Sequence, residues 1–239
     1  MSEETETEFT SPFLRFSSII PGELMGMLKV TIIGAGGIGA PAALCLAKSG
    51  VSTLEIFDHD DVGAENTGPQ MYGPGMVGQP KVMALRRFLR QQAPWTEVSA
   101  RRERYDGGPI DADVVIAAVD SLSVRRVIWE GVKESPSVKL LVDPRMGAEI
   151  LSVHSVIPHQ DGPWYAATLE GKAVAAACTA KATFYTGLIA GAMCAQALKA
   201  FLCNERNLVE CHLDLRFLGM LGMTQEQQNK VLSEKGAAA

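Results

Sequence analysis

The chain has 239 residues, 47% of them hydrophobic and 21% charged, with a formal net charge of −5. This balance excludes global disorder, collagen and coiled coil, and the length suits one α/β domain with extensions as well as two small domains. The negative charge argues against a basic nucleic-acid-binding surface, while five scattered cysteines with no CxxC pair (Cys45, Cys178, Cys194, Cys203, Cys211) argue against a disulfide framework or structural zinc and suit the reducing cytoplasm.

Met1–Pro12 carries four glutamates and no lysine or arginine, the wrong charge for a secretory leader, and is expected to be a disordered acidic tail over residues 1–12. Lys29–Ile33 is a β-branched run ending at Gly34 and predicts a buried strand. Gly36–Ser49 has helical spacing and stops at Gly50. Thr53–Phe57 predicts a second strand. Asp58–Gly78 is rich in Gly, Pro, Asn and Asp and predicts a long loop of the kind that carries function.

Lys81–Gln92 predicts an amphipathic helix ended by Pro94, and Glu97–Tyr105 a strand. The apolar run Asp113–Val119 predicts a central strand, followed by a helix over Leu122–Glu134. Strands are expected at Val138–Val142 and Glu149–Ile157, then an irregular stretch over Pro158–Thr179. A helix over Ala182–Leu202 and a strand over Leu208–Leu215 follow. Ala182–Leu198 is uncharged, but it is rich in Gly, Ala and Thr and falls short of the roughly 20 apolar residues a membrane span needs, so it reads as a core helix. The last residues, 223–239, read as a flexible tail. The series predicts an α/β fold: a Rossmann-like, doubly wound, mostly parallel sheet with an antiparallel C-terminal extension, in a single domain over residues 13–222.

Three groups of residues carry chemistry. Gly34-Ala-Gly36-Gly37-Ile-Gly39 follows a strand and opens a helix. Glycines let backbone approach a phosphate, and the helix start offers free N–H groups. Asp58, at the end of the second strand, stands where a carboxylate meets ribose hydroxyls. These features imply a nucleotide without naming it. In the following loop, Asp60, Asn66, Gln70 and Lys81 provide polar groups and a cation suited to a triphosphate. Taken alone, Lys81 reads as a solvated helix-start lysine. Asp120 closes the central apolar strand, where a carboxylate can hold Mg²⁺ against phosphates or simply cap the next helix. His59, His154, His159 and His212 lack metal spacing and read as structural or surface residues. Trp95, Trp129 and Trp164 are too dispersed for a stacking platform.

The order GxGGxG, DxDxVxxxN, Gln70, Gly78-Gln79-Pro80-Lys81 and Asp120 resembles the ThiF/MoeB/HesA superfamily, which includes the ubiquitin-activating enzymes, over about Arg15 to Phe217. The resemblance implies Mg·ATP-dependent adenylation of a carboxylate, most often the C-terminus of a small β-grasp protein. It also implies a homodimer in which Arg15 reaches the partner's ATP. By the same resemblance Cys178, in Cys178-Thr179, is a candidate nucleophile that takes the acyl group as a thioester. The chain departs from the family at Pro69, where an arginine is usual, and at Ala40 and Ser121, where serine and asparagine are frequent. Arg104, Arg125, Arg126 and Arg145 are candidates to replace the missing cation. The alternatives are an NAD(P)-dependent oxidoreductase, which leaves Asn66, Gln70, Lys81 and Asp120 without a role, and a non-catalytic nucleotide-binding member of the same fold.

Overall fold

The structure is a computed structural model that describes residues 11–170, 183–206, 208–224, 226–228 and 230. Cys178 and the adjoining Thr179 lie outside the described residues. A short helix, α1 (Gly22–Gly26), leads into β1 (Lys29–Ile33), α2 (Gly39–Lys48), β2 (Thr53–Phe57), α3 (Lys81–Gln92) and β3 (Glu97–Arg101). Then come β4 (Val114–Ala117), α4 (Leu122–Lys133), β5 (Leu140–Gly147), β6 (Ile150–Val156), α5 (Pro158–Leu169), α6 (Phe184–Leu202), β7 (Glu210–Asp214) and β8 (Gly219–Met223).

The strands form one sheet in the order β3-β2-β1-β4-β5-β6-β7-β8. Strands β3 to β5 pair in parallel, and β5 to β8 pair antiparallel. All four residues of β4 are buried, as a central parallel strand covered on both faces requires. One core lies under α2, α3 and α6 and includes Ile32, Leu46, Leu54, Leu85 and Leu198. The other lies under α4 and α5 and includes Ile33, Val115, Ile128, Trp129 and Tyr165. Each fully buried Leu or Ile contributes about 1.5–3 kcal/mol over its exposed state.

The chain runs outward from β1 to β2 and β3, then returns to place β4 on the other side of β1. Such a reversal opens a crevice at the carboxyl ends of β1 and β4, where open α/β sheets hold ligands.

Four elements differ from the expectation. Residues 158–169, expected to be irregular, form α5. It begins on a proline, carries Pro163 inside, and is held by burial of Trp164, Tyr165 and Leu169. Strand β8 was not expected at all. Strand β3 ends at Arg101, and Tyr105 instead packs on Phe57 in the second core, ring centroids 5.9 Å apart. Strand β5 continues past Val142 to Gly147 because a two-residue turn, with Ala148 at φ 53°, folds β6 back along it. Helix α6 is long and apolar enough by length and composition to cross a membrane, but Thr186, Gly187, Ala190, Gly191, Cys194, Ala197 and Leu198 form its buried face, and it packs on α2 and β5 as a core helix.

Candidate functional site

The glycine turn between β1 and α2 sits at the switch point. Gly34 has φ +101°, and a methyl group there would fall 2.9 Å from the carbonyl carbon of Ala118, just past β4. A methyl on Gly39 would lie 2.8 Å from the carbonyl carbon of Gly34 and 3.2 Å from Cβ of Ala118. The turn is therefore pressed against β4 at both ends by residues without side chains. Gly36, by contrast, has open space beside it. The N–H groups of Gly36, Gly37 and Ile38 donate to no described residue. Free amides at the start of a helix form an anion site.

Asp58 lies at the carboxyl end of β2, as expected for a ribose ligand. One carboxylate oxygen accepts the N–H of Ala35 at 2.7 Å and the other accepts the N–H of Asp60 at 2.8 Å. Asp58 thus also ties the glycine turn to the β2 loop. A carboxylate offers about four acceptor positions, so these two bonds leave room for hydroxyl donors.

Lys81 is the first residue of α3, yet it is buried rather than solvated. Its ammonium donates to Asp60 at 2.9 Å, and its backbone N–H donates to the Asp60 carbonyl at 3.0 Å. The hydrogen bond from Lys81 holds the Asp60 carboxyl below the usual carboxylate range, and the Lys81, His59 and Arg104 charges add to it. Two further residues join here. The His59 ring lies 3.3 Å from Asp60, and the Arg104 guanidinium lies 2.9 Å from the same ring. Asp58, His59 and Asp60 have ligand atoms within 4.8 Å of one another. These contacts to Ala35, Lys81 and Arg104 already account for that grouping.

The loop that follows folds over the turn. Asn66 accepts the N–H of Gly63 at 2.9 Å and so shapes its own loop. Gln70 reaches the turn itself: a methyl on Gly37 would lie 4.0 Å from its Cγ and 3.5 Å from the Pro69 carbonyl. The Gln70 side-chain oxygen, Oε1, is buried and has no hydrogen-bond partner among the described residues. Tyr72 was missed in the sequence. Its buried hydroxyl donates to the Ala35 carbonyl at 2.6 Å and lies 3.5 Å from the Lys81 carbonyl, so it joins turn, loop and α3. Nothing local marks it, because an apolar ring in a glycine-rich loop reads as packing.

Asp120 lies three residues past the end of β4 rather than closing it, exposed and without a hydrogen bond or ion pair among the described residues. Ser121, not Asp120, occupies the N-cap position of α4. A free carboxylate at the crevice is a hard oxygen donor, which fits Mg²⁺. Arg15 does not join this group. The neighbouring Phe13 packs on Gly50 and on Trp95, with 5.2 Å between its ring centroid and that of Trp95. Both contacts lie at the amino end of the sheet, opposite the crevice.

Three of the four candidate arginines are committed elsewhere. Arg125 is buried, pairs with Asp143, and donates to the carbonyls of Ala117 at 2.8 Å, Pro144 at 3.1 Å and Val119. Arg126 donates to the Leu169 carbonyl, and Arg145 is divided between Asp143 and Thr168. Arg104 alone of the four borders the Asp58–Asp60 group. Two of the three tryptophans, Trp129 and Trp164, converge on the buried Tyr165 in the second core.

Fold and site together define a Rossmann-like α/β protein with a glycine turn of free amides at its switch point. A family model described as ThiF family matches residues 23–234, and the chain belongs to that family. It is 36% identical over 106 residues to the sulfur carrier protein ThiS adenylyltransferase of Escherichia coli, covering 42% of each protein. To the molybdopterin-synthase adenylyltransferase of the same organism it is 31% identical over 109 residues, 43% of this chain and 44% of that one. The chain thus spans less than half the length of these curated relatives. Among solved structures, E. coli MccB with ATP superposes with a TM-score of 0.70 at 16% identity, over 92% of this chain and 72% of that one. PaaA superposes with a TM-score of 0.71 at 20% identity, over 94% and 76%. At that identity the likeness speaks to the fold alone.

Proposed function

We propose that the chain is an ATP-dependent adenylyltransferase acting on a carboxylate, the C-terminus of a small β-grasp protein of the ubiquitin-like or sulfur-carrier kind. One observation carries this reading: a glycine turn with free amides is tied through Asp58 to Asp60, which holds the buried Lys81. Membership of the ThiF family and the names of the relatives support the substrate class.

In the reaction a carboxylate oxygen attacks the α-phosphorus of ATP. The bond to the bridging oxygen of the β-phosphate breaks, pyrophosphate leaves, and an acyl-adenylate forms. Little covalent chemistry falls to the protein, so positioning and electrostatics dominate. The amides of Gly36, Gly37 and Ile38 cradle phosphate, Asp58 holds ribose, and the Lys81 ammonium stabilises charge on the departing pyrophosphate. Gln70 offers a polar side chain at the turn. Asp120 would hold Mg²⁺, which when bound neutralises phosphate charge. Arg15, remote from the crevice of its own chain, fits a role on the site of a second copy in a homodimer. An odd number of scattered cysteines with no CxxC pair suits residence in a reducing cytoplasm.

Pyrophosphate exchange into ATP, screened against β-grasp proteins ending in glycine, tests the reading. Exchange that depends on one such protein supports it. Stabilisation by NAD in place of Mg·ATP in a thermal-shift series overturns it.

A further inference from the structure

Helix α6 meets the glycine turn through bare backbone. A methyl on Gly187 would overlap the carbonyl oxygen of Gly37 and lie 3.1 Å from its carbon and 3.7 Å from its Cα. One turn further on, a methyl on Gly191 would fall 2.5 Å from Cβ of Pro41 and 2.6 Å from the nitrogen of Ala42. Both glycines are buried, and neither has the positive φ that would require glycine on backbone grounds. Glycine inside a helix is unfavourable relative to alanine. The close approach of α6 to the turn and to α2 accounts for both.

We infer that Gly187 is a positioning residue for the nucleotide turn, fixing the peptide plane between Gly37 and Ile38. The Gly37 oxygen is the atom nearest the place a side chain at 187 would occupy, so this carbonyl points at α6. The described chain has no cis peptide bonds, and in a trans peptide C=O and N–H point to opposite sides. The Ile38 N–H therefore points away from α6, and it has no partner among the described residues. A side chain at 187 would push the carbonyl and swing that amide with it. Packed interiors do not absorb such an overlap without movement. The inference rests on the reading that the turn holds the phosphates of ATP.

Isothermal titration with Mg·ATP on wild type, Gly187→Ala and Gly191→Ala tests it. The two variants carry a similar steric insult one turn apart, but only the first strikes the turn. Gly187→Ala is expected to weaken binding about tenfold, while Gly191→Ala changes it by less than about threefold. Equal losses in both variants, or wild-type affinity in Gly187→Ala, overturn the inference. If wild type binds no Mg·ATP, the nucleotide reading itself fails. A second measurement needs no variant: hydrogen exchange on wild type with and without Mg·ATP. Slowed exchange at residues 36–38 together with 186–188, but not at 199–202, supports the coupling. Slowing at 36–38 alone overturns it.

Discussion

Two groups of charged residues lie along the same sheet and are built on different terms. At the parallel end, Asp58 joins a turn with free amides to Asp60 and Lys81, and Asp120 follows β4. Asp60 and Asp120 are exposed, and Asp120 makes no hydrogen bond or ion pair among the described residues, although its charge acts on Arg125. Where the sheet turns antiparallel, Asp143 is fully buried among Arg125, Arg145 and the Tyr165 hydroxyl, which donates to it at 2.9 Å. His154 links this group to Glu210 at 3.1 Å. In the second group every charge is answered by protein. In the first, donors and acceptors are left over for something else. Unspent hydrogen-bonding capacity, rather than charge itself, distinguishes a site from a strut.

The largest expected effect breaks the strut. Asp143→Ala leaves two guanidinium groups without their shared carboxylate, one of them the buried Arg125. Burial already lowers Arg125 to about 10, and the nearby Arg145 charge adds to this. Loss of one partner from such a buried pair costs about 3–5 kcal/mol. Urea unfolding should show that loss, while Mg·ATP affinity of the folded fraction stays near wild type. A stability change near zero would mean the network does not brace the sheet.

The next effect falls on the other group. Lys81→Ala is expected to leave the urea midpoint nearly unchanged and to remove about 3 kcal/mol of transition-state stabilisation, the scale of one preorganised electrostatic donor. Pyrophosphate exchange would then slow by roughly a hundredfold. Undiminished exchange would remove Lys81 from the reaction.

Much of the first group was legible because its signals are local. Gly34 to Gly39 and Asp58 mark a strand, turn, helix and strand in uninterrupted order, and Thr53–Phe57 and Lys81–Gln92 form the elements their spacing predicts. The ties that make these residues a site were not legible. The bonds Asp58–Ala35 and Lys81–Asp60 span 23 and 21 residues, and Tyr72 reaches Ala35 across 37. The second group was opaque for a related reason. Pro158, Gly162 and Pro163 read as breakers, so α5 was lost, and with it the helix that carries Tyr165 to Asp143. Tertiary burial of Trp164, Tyr165 and Leu169 overrides that local preference. Strand β8, Gly-Met-Leu-Gly-Met, has weak strand propensity and owes its form to pairing with β7.

A smaller effect follows from His154. Its two ring nitrogens face the Asp143 carbonyl at 3.2 Å and Glu210 at 3.1 Å, both acceptors, which favours the charged ring. Burial outweighs them and lowers the ring from its ordinary 6.5 to about 4. The folded value lies below the unfolded one, so this contribution is complete above pH 6.5. It is lost as pH falls from 6.5 towards 4, while the unfolded chain takes up the proton. His212, raised by its hydrogen bond to Glu210, acts in the opposite sense. Burial of His154 sets the larger share, so a net loss of stability towards acid pH is expected. Urea midpoints at pH 7.5, 6 and 5 should fall in that order, and His154→Gln should flatten the slope. An NMR titration that finds the ring charged at pH 6 would defeat this account.

The smallest effect sharpens the contrast most, because Asp60 belongs to the site yet performs the strut's task. It holds Lys81 as Asp143 holds Arg125, but half in water: its side chain is 49% exposed, against 0% for Asp143. Solvent screens such a pair, so Asp60→Asn should cost no more than about 1 kcal/mol, close to fivefold in exchange rate. The asparagine keeps an oxygen for the ammonium and loses only the charge, so the lysine stays near its place. The Lys81 hydrogen bond holds the folded-state carboxyl low, so its contribution is present above the ordinary value of 3.8 and disappears as pH falls through the lower folded value. Whatever stability the variant loses, within about 1 kcal/mol, should therefore show at neutral pH and vanish in acid. Its exchange rate should fall less than that of Lys81→Ala, since the cation survives. If Asp60→Asn proved as damaging as removal of the lysine, Asp60 would have to touch the nucleotide or its metal directly. The site would then depend on its carboxylates as much as on its buried lysine.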